Sequence, residues 1–453
     1  MATELICGEF KYKKKTYPFV INERILTVIQ SGVAHKTDFE EEEIGNLKGT
    51  TNKGLHITLI GCRRLGGASY LLLENIRIAL KGYILHYERT CRYDRLIFQS
   101  PALNGFYSPR KAWTFKTEKP GRPKIIEMNE PVEVNQKFSC NIRGEKLDCI
   151  LGFSHSFFLK LEETQPLIIE PVFVMDFQKT KYPTQIGKHY LYLRDFLVFL
   201  NFRTDIPIND IALFCKNKSG KLEKCGTATI FQHSSERYKP NSKDSITFDD
   251  LEIDDLAKLF SVVSGRRKSV NFNPYIFPED DQDECEIDRA KWLITAISFE
   301  GEFDKSFPNY KYKTDKQFKL AKDLLLKTIE TAVNQSGKGI NNSDNAALKS
   351  FRHLVNTSDT TIQEKFAHCE KLFVCEMENK IKRICNESDI PFQQSFAENY
   401  ATTRNNTAHG TIQPIENIDF VTYRMLRCFI YLLIMRRANV PSEKMKRIVE
   451  KLF

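Results

Sequence analysis

Hydrophobic and polar residues alternate in short runs from Glu4 to about Val174, and Gly, Pro or Asn separates most of the runs. Alternation with a period of two residues, interrupted by turn formers, is typical of β-strands. We therefore expect an antiparallel sandwich or barrel in this part of the chain. The predicted strands are Glu4 to Phe10, Arg24 to Gln30, Leu55 to Ile60, Ile76 to His86, Leu96 to Gln99, Leu147 to Phe153 and Leu167 to Val174.

Two stretches of this β-rich part combine helix or strand breakers with charge and are predicted as loops: Asn46 to Gly54 and Glu118 to Lys124. A region with both helix and strand signals follows the β-rich part. We predict a helix from about Gly187 to Phe202, strands near Ile211 to Cys215 and Thr227 to Phe231, and a helix from about Asp249 to Ser264.

The acidic run from Pro278 to Asp288 is the sharpest change of composition in the chain. We interpret it as a solvated linker that leads into a helix N-terminus, where negative charge is favoured. A metal-binding role is the alternative, although the run lacks the spaced Asp or Asn and the Gly of a calcium loop. The predicted domains are a β-rich N-terminal domain (1–180), a mixed α/β segment (181–277) and a helical domain (278–453).

The pattern is helical beyond Asp288. Leu293, Ile294 and Ile297 form one apolar stripe, and a second stripe runs from Phe318 to Ile329. Thr361 and Glu364 have the spacing of a capping box, ahead of an apolar row at Phe366, Cys369, Phe373 and Met377.

Pro391 predicts the start of a further helix and Gly410 its end. The last long helix, about Phe420 to Ala438, is apolar around most of its circumference, which predicts burial on several sides, in a bundle centre or a dimer interface. The fold class expected is α+β, with a β-rich sandwich or barrel, a mixed segment and an all-α bundle.

Composition narrows the class of protein. The chain has 453 residues, 41% hydrophobic and 28% charged, which favours folded domains over disorder. The strongest apolar run, Phe429 to Met435, has seven residues, whereas a membrane span needs about 20. Met1 to Phe10 lacks the pattern of a secretory signal. We therefore expect a cytoplasmic protein without a membrane partner, whose 12 cysteines are reduced.

The sequence lacks a phosphate-binding loop, a dinucleotide fingerprint and paired Cys motifs of the zinc type, so no cofactor or metal is predicted. Cys215 and Cys225 flank a turn that contains Lys and Gly. A shared metal ion is one interpretation of this pair and core packing is the other, because two ligands alone do not make a zinc site.

One arrangement of reactive side chains remains: Arg404 and Asn405, followed by His409 and Gly410, at the end of the helix predicted from Pro391. Among the nine histidines, His409 alone has an Arg four to six residues upstream. RNA cleavage without metal needs a base near neutral pH and a cation for the phosphorane. His409 is the candidate base, Arg404 the candidate cation and Asn405 a candidate orienting group.

Helix geometry complicates this assignment. Residues five apart diverge by about 140° around an α-helix, so Arg404 and His409 of one chain do not face the same way on an ideal helix. Either the last turn unwinds, or two chains form a composite site across a two-fold axis. In the alternative interpretation Arg404 pairs with an acidic neighbour such as Glu398, and His409 interacts with the helix dipole at the surface.

The pattern of Arg404, Asn405 and His409 in a C-terminal helical domain resembles the Arg and His signature of HEPN ribonucleases. The whole layout, with the intermediate segment Asp195 to Arg203, is similar to the ApeA-like anti-phage defence proteins. The resemblance implies a homodimeric, metal-independent endoribonuclease that cleaves host RNA, with tRNA as a target class, during abortive infection. It also implies an acidic residue on an earlier helix. Glu300 or Glu302 is the candidate, although we expect both to face solvent.

The resemblance further suggests that the N-terminal half senses a trigger or inhibitor encoded by the phage. The charge is consistent with an RNA partner: residues 289–453 have 26 Lys and Arg against 19 Asp and Glu, which is +7 of the chain's +9. The main alternative is a catalytically silent HEPN-type module that binds nucleic acid or a phage protein through its β-rich half. A metal-dependent nuclease built on the acids of residues 278–288 is a third possibility.

Overall fold

A computed structural model of the chain describes residues 5–31, 39, 41–70, 73–119, 122–130, 134–157, 167–209, 211–231, 238–239, 245–264, 276–278, 283, 286–308, 310, 316–335, 347–352, 355, 361–393, 395–408 and 414–453. The chain forms two compact units. The first contains Met1–Lys268, Phe277–Glu284 and Leu452, and the second contains Ser269–Ile276, Cys285–Lys451 and Phe453. The first unit is rich in strands and the second is helical.

The first unit has the following strands: β1 (Ile6–Tyr12), β2 (Lys15–Asn22), β3 (Ile25–Ser31), β4 (Glu43–Thr51), β5 (His56–Tyr70), β6 (Leu73–Ala79), β7 (Gly82–His86), β8 (Tyr93–Gln99), β9 (Trp113–Lys119), β10 (Arg122–Met128), β11 (Gln136–Ile142), β12 (Glu145–Phe157), β13 (Leu167–Lys181), β14 (Ile211–Lys216) and β15 (Leu222–Ile230). Its helices are α1 (Pro101–Phe106), α2 (Ile186–Asn201) and α3 (Ile253–Ser264), and short 3₁₀ turns lie at Pro109–Ala112, Pro183–Gln185 and Phe248–Asp250.

Thirteen of these strands form one sheet in the order β11-β12-β13-β8-β14-β15-β7-β5-β4-β1-β2-β3-β6, and the described pairings are antiparallel. A further pairing of β5 with β6 closes the last six strands into a barrel. Closure satisfies the backbone groups that an open edge would expose. Strands β9 and β10 form a separate two-stranded sheet. The expectation of a barrel-like antiparallel region is confirmed.

Aromatic and branched side chains from alternate strand positions fill the barrel. Phe39 packs against the hairpin end of β1 and β2: its ring stacks on Tyr12 at 4.7 Å and meets the edge of Tyr17 at 5.0 Å between centroids. The other large side chains of this core are Phe10, Phe19, Leu26, Val28, Ile57, Leu59, Ile76 and Ile78. Because inward positions alternate along each strand, the period of two seen in the sequence sets the barrel interior.

Both predicted loops are wrong over most of their length. In the stretch Glu118 to Lys124, residues 118–119 belong to β9 and residues 122–124 to β10. Most of Asn46 to Gly54 belongs to β4, which pairs with both β1 and β5. Gly49 contributed to the loop prediction, but its role is a close approach of two strands. A Cβ atom there would lie 2.3 Å from the carbonyl oxygen of Glu9 and 2.9 Å from Cβ of Phe10. Glycine in a strand interior often marks such a contact.

The mixed region contributes strands to the same sheet. β14 pairs with β8, and β15 pairs with β7, so these two strands complete the link between β8 and the barrel. The predicted helix of residues 187–202 is confirmed as α2, and the later one begins at Ile253 after a 3₁₀ turn. The division of this half of the chain at residues 180 and 181 stays a prediction.

The helices of the second unit are α4 (Arg289–Ser306), α5 (Lys316–Gln335), α6 (Ile362–Leu372), α7 (Val374–Glu387), α8 (Ala397–Ala408), α9 (Asn417–Arg437) and α10 (Ser442–Leu452). The capping box of Thr361 and Glu364 at the start of α6 is confirmed. Helix α9 is buried almost continuously from Val421 to Met435, with α4, α7 and α8 around it. Because helices of the same chain bury α9, it lies at the centre of a bundle. Among the described helices, none is long and apolar enough to cross a membrane.

Two predicted helix bounds are wrong. The row from Phe366 to Met377 is divided between α6 and α7, because the backbone leaves helical geometry at Phe373. The helix predicted from Pro391 begins at Ala397. Its start is set by side chains: the Ala397 N–H donates to Oγ of Ser395, and the Phe396 N–H donates to Glu370 on α6. These contacts, and not the proline at position 391, determine where the first turn of the helix begins.

Helix α7 buries a lysine against α9. Lys380 is 2% exposed, and its ammonium group has no hydrogen-bond partner among the described residues. Burial lowers the pKa of Lys380 from 10.5 to about 8, and the neighbouring Arg383 and Arg424 contribute to the shift. An unpaired buried charge destabilises the fold.

We expect the Lys380→Met variant to be more stable than wild type below pH 8, by at most about 3 kcal/mol. Between about pH 8 and 10.5 the unfolded chain holds this proton and the folded chain does not, so the stability of wild type rises with pH across that window. The variant should lack this rise. Denaturant unfolding followed by helical circular dichroism at pH 7 and pH 10 measures both effects.

Lys382→Met is the matched control on the same helix. Lys382 is about half exposed and pairs with Glu378 one turn away, so its removal should change the free energy of unfolding by less than about 1 kcal/mol. Equal effects of the two variants would contradict the assignment of the pH dependence to Lys380.

Candidate functional site

Helix α8, which carries Arg404 and Asn405, is held in place by Tyr400. This tyrosine is fully buried. Its ring stacks on Phe366 of α6 at 4.8 Å and meets Phe299 of α4 edge-on at 5.8 Å between centroids. Because Tyr400 and Arg404 are one turn apart, the aromatic contacts that fix Tyr400 also direct Arg404 towards α4.

Arg404 forms a two-point ion pair with Glu300 of α4. Its Nε donates to Oε1 of Glu300 at 3.0 Å, and its Nη2 lies 3.5 Å from Oε2. The hydroxyl of Tyr400 donates to the same Oε1 at 3.4 Å. Burial, followed by the charge of Glu300, raises the pKa of Tyr400 well above 10.0, so the tyrosine remains a neutral hydrogen-bond donor.

The guanidinium of Arg404 is only partly buried. Its side chain is 27% exposed, compared with 18% for Glu300. An arginine has five N–H donors in one plane, and the contacts with Glu300 occupy one edge of that plane. The other edge remains directed away from Glu300. This is a geometry in which one arginine is fixed by a carboxylate and still presents donors to a further anion.

Arg404 does pair with an acidic residue, as the alternative interpretation expected, but the partner is Glu300 of α4 and not Glu398, which is exposed on α8. The expectation that Glu300 and Glu302 face solvent is also wrong. Glu302 is 1% exposed and accepts hydrogen bonds from Arg437 and, at 3.1 Å, from Lys305.

The error has a structural cause in α4. The stripe of Leu293, Ile294 and Ile297 was predicted to face the core, yet Ile297 is 47% exposed. Trp292, Phe299 and Phe303 are buried instead, because the aromatic side chains of α6, α8 and α9 lie on that side. This rotation of the helix brings Glu300 towards α8. The pair of acidic residues was visible in the sequence, but the orientation of α4 was not.

Asp419, near the start of α9, links α8 to α9. Its Oδ1 accepts the hydroxyl of Thr403 at 2.6 Å, and its Oδ2 accepts the N–H of Glu416 at 3.0 Å. Its carbonyl oxygen accepts the indole N–H of Trp292 at 3.1 Å. Three helices therefore meet at Asp419, and its partner Thr403 directly precedes Arg404 in the chain. Sequence analysis missed this residue, although an Asp at the third helical position is a recognised capping signal.

A small cavity of about 30 Å³ lies beside this junction. A cavity of this size has room for about two water molecules. It is lined by Arg289, Trp292, Thr403, Asn406, Thr407, Pro414, Ile415 and Asp419. This cavity is therefore too small for a nucleotide.

The remaining predicted site residues are placed as follows. Asn405 is exposed on α8, about 100° around the helix from Arg404, and does not contact Glu300. His409 and Gly410 lie outside the described residues; His409 follows Ala408, the last residue of α8, in the sequence.

The structure places the predicted metal ligands, the Cys215 and Cys225 pair and the acidic run, in separate parts of the fold. Cys215 and Cys225 lie on β14 and β15 of the first unit. In the acidic run Asp288 caps α4, since its side chain accepts the N–H of Lys291 at 2.7 Å, which confirms that the run leads into a helix N-terminus. Within the ranges described, no three His, Cys, Asp or Glu side chains are grouped so that they hold a metal ion.

Fold and site together define an α+β protein with an antiparallel barrel in its first unit and an Arg–Glu pair between two helices of its second. No protein-family model, curated protein or solved structure matches the chain.

We expect Asp419→Ala to lower the free energy of unfolding by about 1–3 kcal/mol, because the variant leaves the Thr403 hydroxyl and the Glu416 N–H without their acceptor. Asp419→Asn should lower the free energy of unfolding by less than Asp419→Ala, because its amide oxygen still accepts one of the two hydrogen bonds. Glu398→Ala, an exposed substitution on α8, serves as the control. Thermal and denaturant unfolding measure the differences, and a neutral Asp419→Ala variant would contradict the linking role.

Proposed function

We propose that the protein is a metal-independent endoribonuclease of the HEPN type that acts in anti-phage defence. In this proposal it cleaves host RNA, with tRNA as the substrate class, at a composite site of a homodimer in the cytoplasm. His409 is the general base, Arg404 the cation that stabilises the phosphorane, and Asn405 a group that orients a phosphate oxygen. The proposal rests on the resemblance of the motif and on the setting of Arg404.

The observation that carries the proposal is the pair of Arg404 with Glu300. The Arg404 side chain is 27% exposed, so donors on its outer edge are accessible to a phosphate from solvent. Glu300 and the buried Tyr400 fix its base, so little side-chain entropy is lost when a phosphate binds its outer edge. A preorganised cation is what stabilisation of a phosphorane requires.

The proposed reaction needs no metal ion. His409 removes the proton from the 2′-hydroxyl, and the oxygen attacks the adjacent phosphorus. The extra negative charge of the phosphorane develops on the nonbridging oxygens, next to the guanidinium of Arg404. The P–O5′ bond then breaks, O5′ takes up a proton from solvent and His409 releases its proton to solvent, leaving a 2′,3′-cyclic phosphate on one fragment and a 5′-hydroxyl on the other.

Helix geometry and charge support the dimer and the RNA partner. Residues five apart on a helix diverge by about 140°, so a two-fold axis that brings two α8 ends together gives each phosphate an Arg404 and a His409 from different chains. The excess of +7 in residues 289–453 favours a polyanionic substrate.

Control of such an enzyme is needed because unrestrained RNA cleavage kills the host. We propose that the first unit supplies this control by binding a component encoded by the phage. The support is indirect: the first unit forms its own sheet and barrel, separate from the helices that carry Arg404.

Purified full-length protein should cut cellular RNA in the presence of a chelator, with phage lysate added where a trigger is required. Arg404→Ala and His409→Ala should each abolish cleavage, and the wild-type fragments should end in a 2′,3′-cyclic phosphate. Arg404→Lys should retain little activity, because lysine lacks the planar fork that both Glu300 and a phosphate use. Fragment ends are mapped by phosphatase-dependent ligation and sequencing.

Each other outcome identifies a different function. Binding of RNA or of a phage protein without cleavage favours the catalytically silent module. Cleavage that the chelator abolishes favours a metal-dependent nuclease. Cleavage that survives both substitutions would show that the site is elsewhere in the chain.

Glu300 should act as a positioning residue for Arg404. We expect Glu300→Ala to lower the rate of cleavage by about 100-fold, the usual effect of misplacing a catalytic group by about 1 Å. Glu300→Gln should fall between this variant and wild type, since its amide oxygen accepts from Nε but carries no charge. Glu398→Ala is the control, and circular dichroism confirms folding. RNA affinity that falls with an unchanged maximal rate would contradict the positioning role.

A further inference from the structure

A cavity of about 390 Å³ lies in the first unit, at the adjoining ends of β7, β8, β14 and β15. Its volume is at the lower end of the range of small-ligand pockets, which begins at about 300 Å³. Charged side chains line its exposed mouth: Glu88, Arg92 and Lys216. Buried residues such as Asp94 and Cys225, each 9% exposed, line its deep end. The cavity therefore combines a charged opening with an interior that is shielded from water.

Hydrogen bonds within the fold hold two of the carboxylates that line the cavity. Oδ1 of Asp94 accepts the hydroxyl of Thr180 at 2.6 Å, and its Oδ2 accepts the backbone N–H of Lys216 at 2.8 Å. Glu223 accepts the side-chain N–H of Asn217 at 2.7 Å. A carboxylate has about four acceptor positions, so Asp94 retains acceptor capacity for a ligand. The wall of the cavity is therefore in place before a ligand binds.

The three charged side chains at the mouth are not used by the fold. In the described part of the chain, the side chains of Glu88, Arg92 and Lys216 form no hydrogen bond or ion pair. The guanidinium of Arg92 lies over the ring of Tyr182, 5.9 Å from its centroid, and this cation–π contact orients it. An arginine fork and a lysine ammonium at one opening are groups that bind phosphate in proteins.

The local charge also favours an anion at this opening. Residues 86–94 and 215–225 together contain six Lys and Arg and three Asp and Glu, a net charge of +3. Four of these cations are exposed and do not line the cavity: Arg89, Lys218, Lys221 and Lys224. Their charge offsets that of Asp94 and Glu223 in the field at the mouth. The free carboxylate of Glu88 needs a donor, which a ligand hydroxyl supplies. A sugar phosphate carries both the anion and the hydroxyls that this opening requires.

The deep end offers a neutral surface and one acceptor. Three cysteines line the cavity: Cys91, Cys215 and Cys225. Burial raises the pKa of Cys91 to about 12, so this thiol is protonated near neutral pH and behaves as a small apolar group. Both ring nitrogens of His86 are occupied, by the Thr58 hydroxyl at 3.1 Å and the carbonyl oxygen of Glu88 at 2.5 Å. Asp94 therefore supplies the acceptor at this end.

A nucleobase has the matching chemistry. Its faces are flat and pack on apolar or polarizable groups, such as the thiols that line the cavity. Its edge carries amino groups in cytosine, adenine and guanine, and a carboxylate accepts hydrogen bonds from an amino group of this kind. The depth of Asp94 relative to Arg92 and Lys216 separates the acceptor for a base from the cations for a phosphate.

We propose that this cavity binds a nucleoside phosphate whose base carries an exocyclic amino group. Arg92 and Lys216 hold the phosphate at the mouth, and Asp94 accepts a hydrogen bond from the amino group at the deep end. Binding is noncovalent. A free nucleotide and a nucleotide within a single strand share this chemistry. The site belongs to the first unit and is independent of the nuclease proposed above.

Isothermal titration calorimetry of the full-length protein tests the assignment with CMP, AMP and GMP. At least one of them should bind with one site per chain. Its counterpart without the amino group, UMP for CMP or IMP for AMP and GMP, should bind about tenfold more weakly. The nucleoside without phosphate should also bind about tenfold more weakly, because the contacts with Arg92 and Lys216 are lost. Inorganic phosphate alone should bind more weakly than the nucleotide.

Substitutions at the mouth separate phosphate binding from base binding. Arg92→Ala and Lys216→Ala should each weaken the nucleotide about tenfold and leave the affinity for the nucleoside within about threefold. Arg89→Ala and Lys218→Ala are the matched controls. They remove the same charges from neighbouring exposed positions that do not line the cavity, so both should keep the nucleotide affinity within about threefold. Circular dichroism checks that all four variants fold.

Four results would overturn the proposal: no saturable binding of CMP, AMP or GMP; equal affinity for the nucleotide and its counterpart without the amino group; equal affinity for the nucleotide and inorganic phosphate; or a loss in Arg92→Ala and Lys216→Ala that is no larger than in their controls.

A single-stranded deoxynucleotide hexamer of the same base distinguishes the two sources of the ligand, since it lacks the 2′-hydroxyl that the proposed nuclease requires. Tighter binding of the hexamer than of the mononucleotide, lost in Arg92→Ala, assigns a nucleotide within a strand. Binding of the mononucleotide alone assigns a free nucleotide. Both results support the site, and none of these readouts depends on RNA cleavage.

Discussion

The burial of α9 is the constraint on which the helical unit depends. A helix that is apolar on nearly every side must be covered on every side, and α4, α7 and α8 provide that cover. Once these helices surround α9, their own positions are restricted. The aromatic groups of Phe299, Phe366, Tyr400 and Phe429 meet one another in this core at 4.8 to 6.0 Å between centroids. Arg404 and Glu300 are brought together as a consequence of that contact.

The pairing of charged side chains inside the helical unit follows from the same constraint. Helices that share one core bring charged residues together near its edge, where each must be paired or destabilise the fold. Glu302 is paired with Arg437 and Lys305, and the Asp419 carboxylate accepts hydrogen bonds from the Thr403 hydroxyl of α8 and from the N–H of Glu416, which precedes α9. Lys380 is the contrasting case, because its ammonium is buried without a described partner. Arg404 is intermediate: it is paired on one edge and exposed on the other.

The first unit is organised by strand pairing and barrel closure, not by the burial of one apolar helix. Closure between β5 and β6 leaves the six strands of the barrel without an open edge. The same sheet continues from the barrel through β7, β15, β14, β8, β13, β12 and β11. Close approach of β1 and β4 requires Gly49, where any side chain would collide with Glu9. The ends of the central strands then bring Cys215 and Cys225 to a cavity, at positions that are ten residues apart in the sequence.

Sequence by itself determined the class of each element where the pattern was strong and local. The alternation in the first 174 residues, the capping box at Thr361 and the apolar circumference of α9 each predicted an element that the structure contains. These signals are reliable because they depend on backbone geometry and on contacts within a few residues. Arg404 and Asn405 were likewise correctly placed on a helix. Glu300 was one of two acidic candidates suggested by the resemblance, and it was expected to face solvent.

Tertiary structure decided what depends on contacts between distant residues. The rotation of α4 was mispredicted because Leu293, Ile294 and Ile297 compete with a second apolar face, and the aromatic residues of α6, α8 and α9 select that second face. The start of α8 was mispredicted because Glu370, on another helix, binds its first turn. β4 was mispredicted because Gly49 is required by a neighbouring strand. In each case the free energy of contacts across the fold exceeds the local preference, and one sequence shows only the latter.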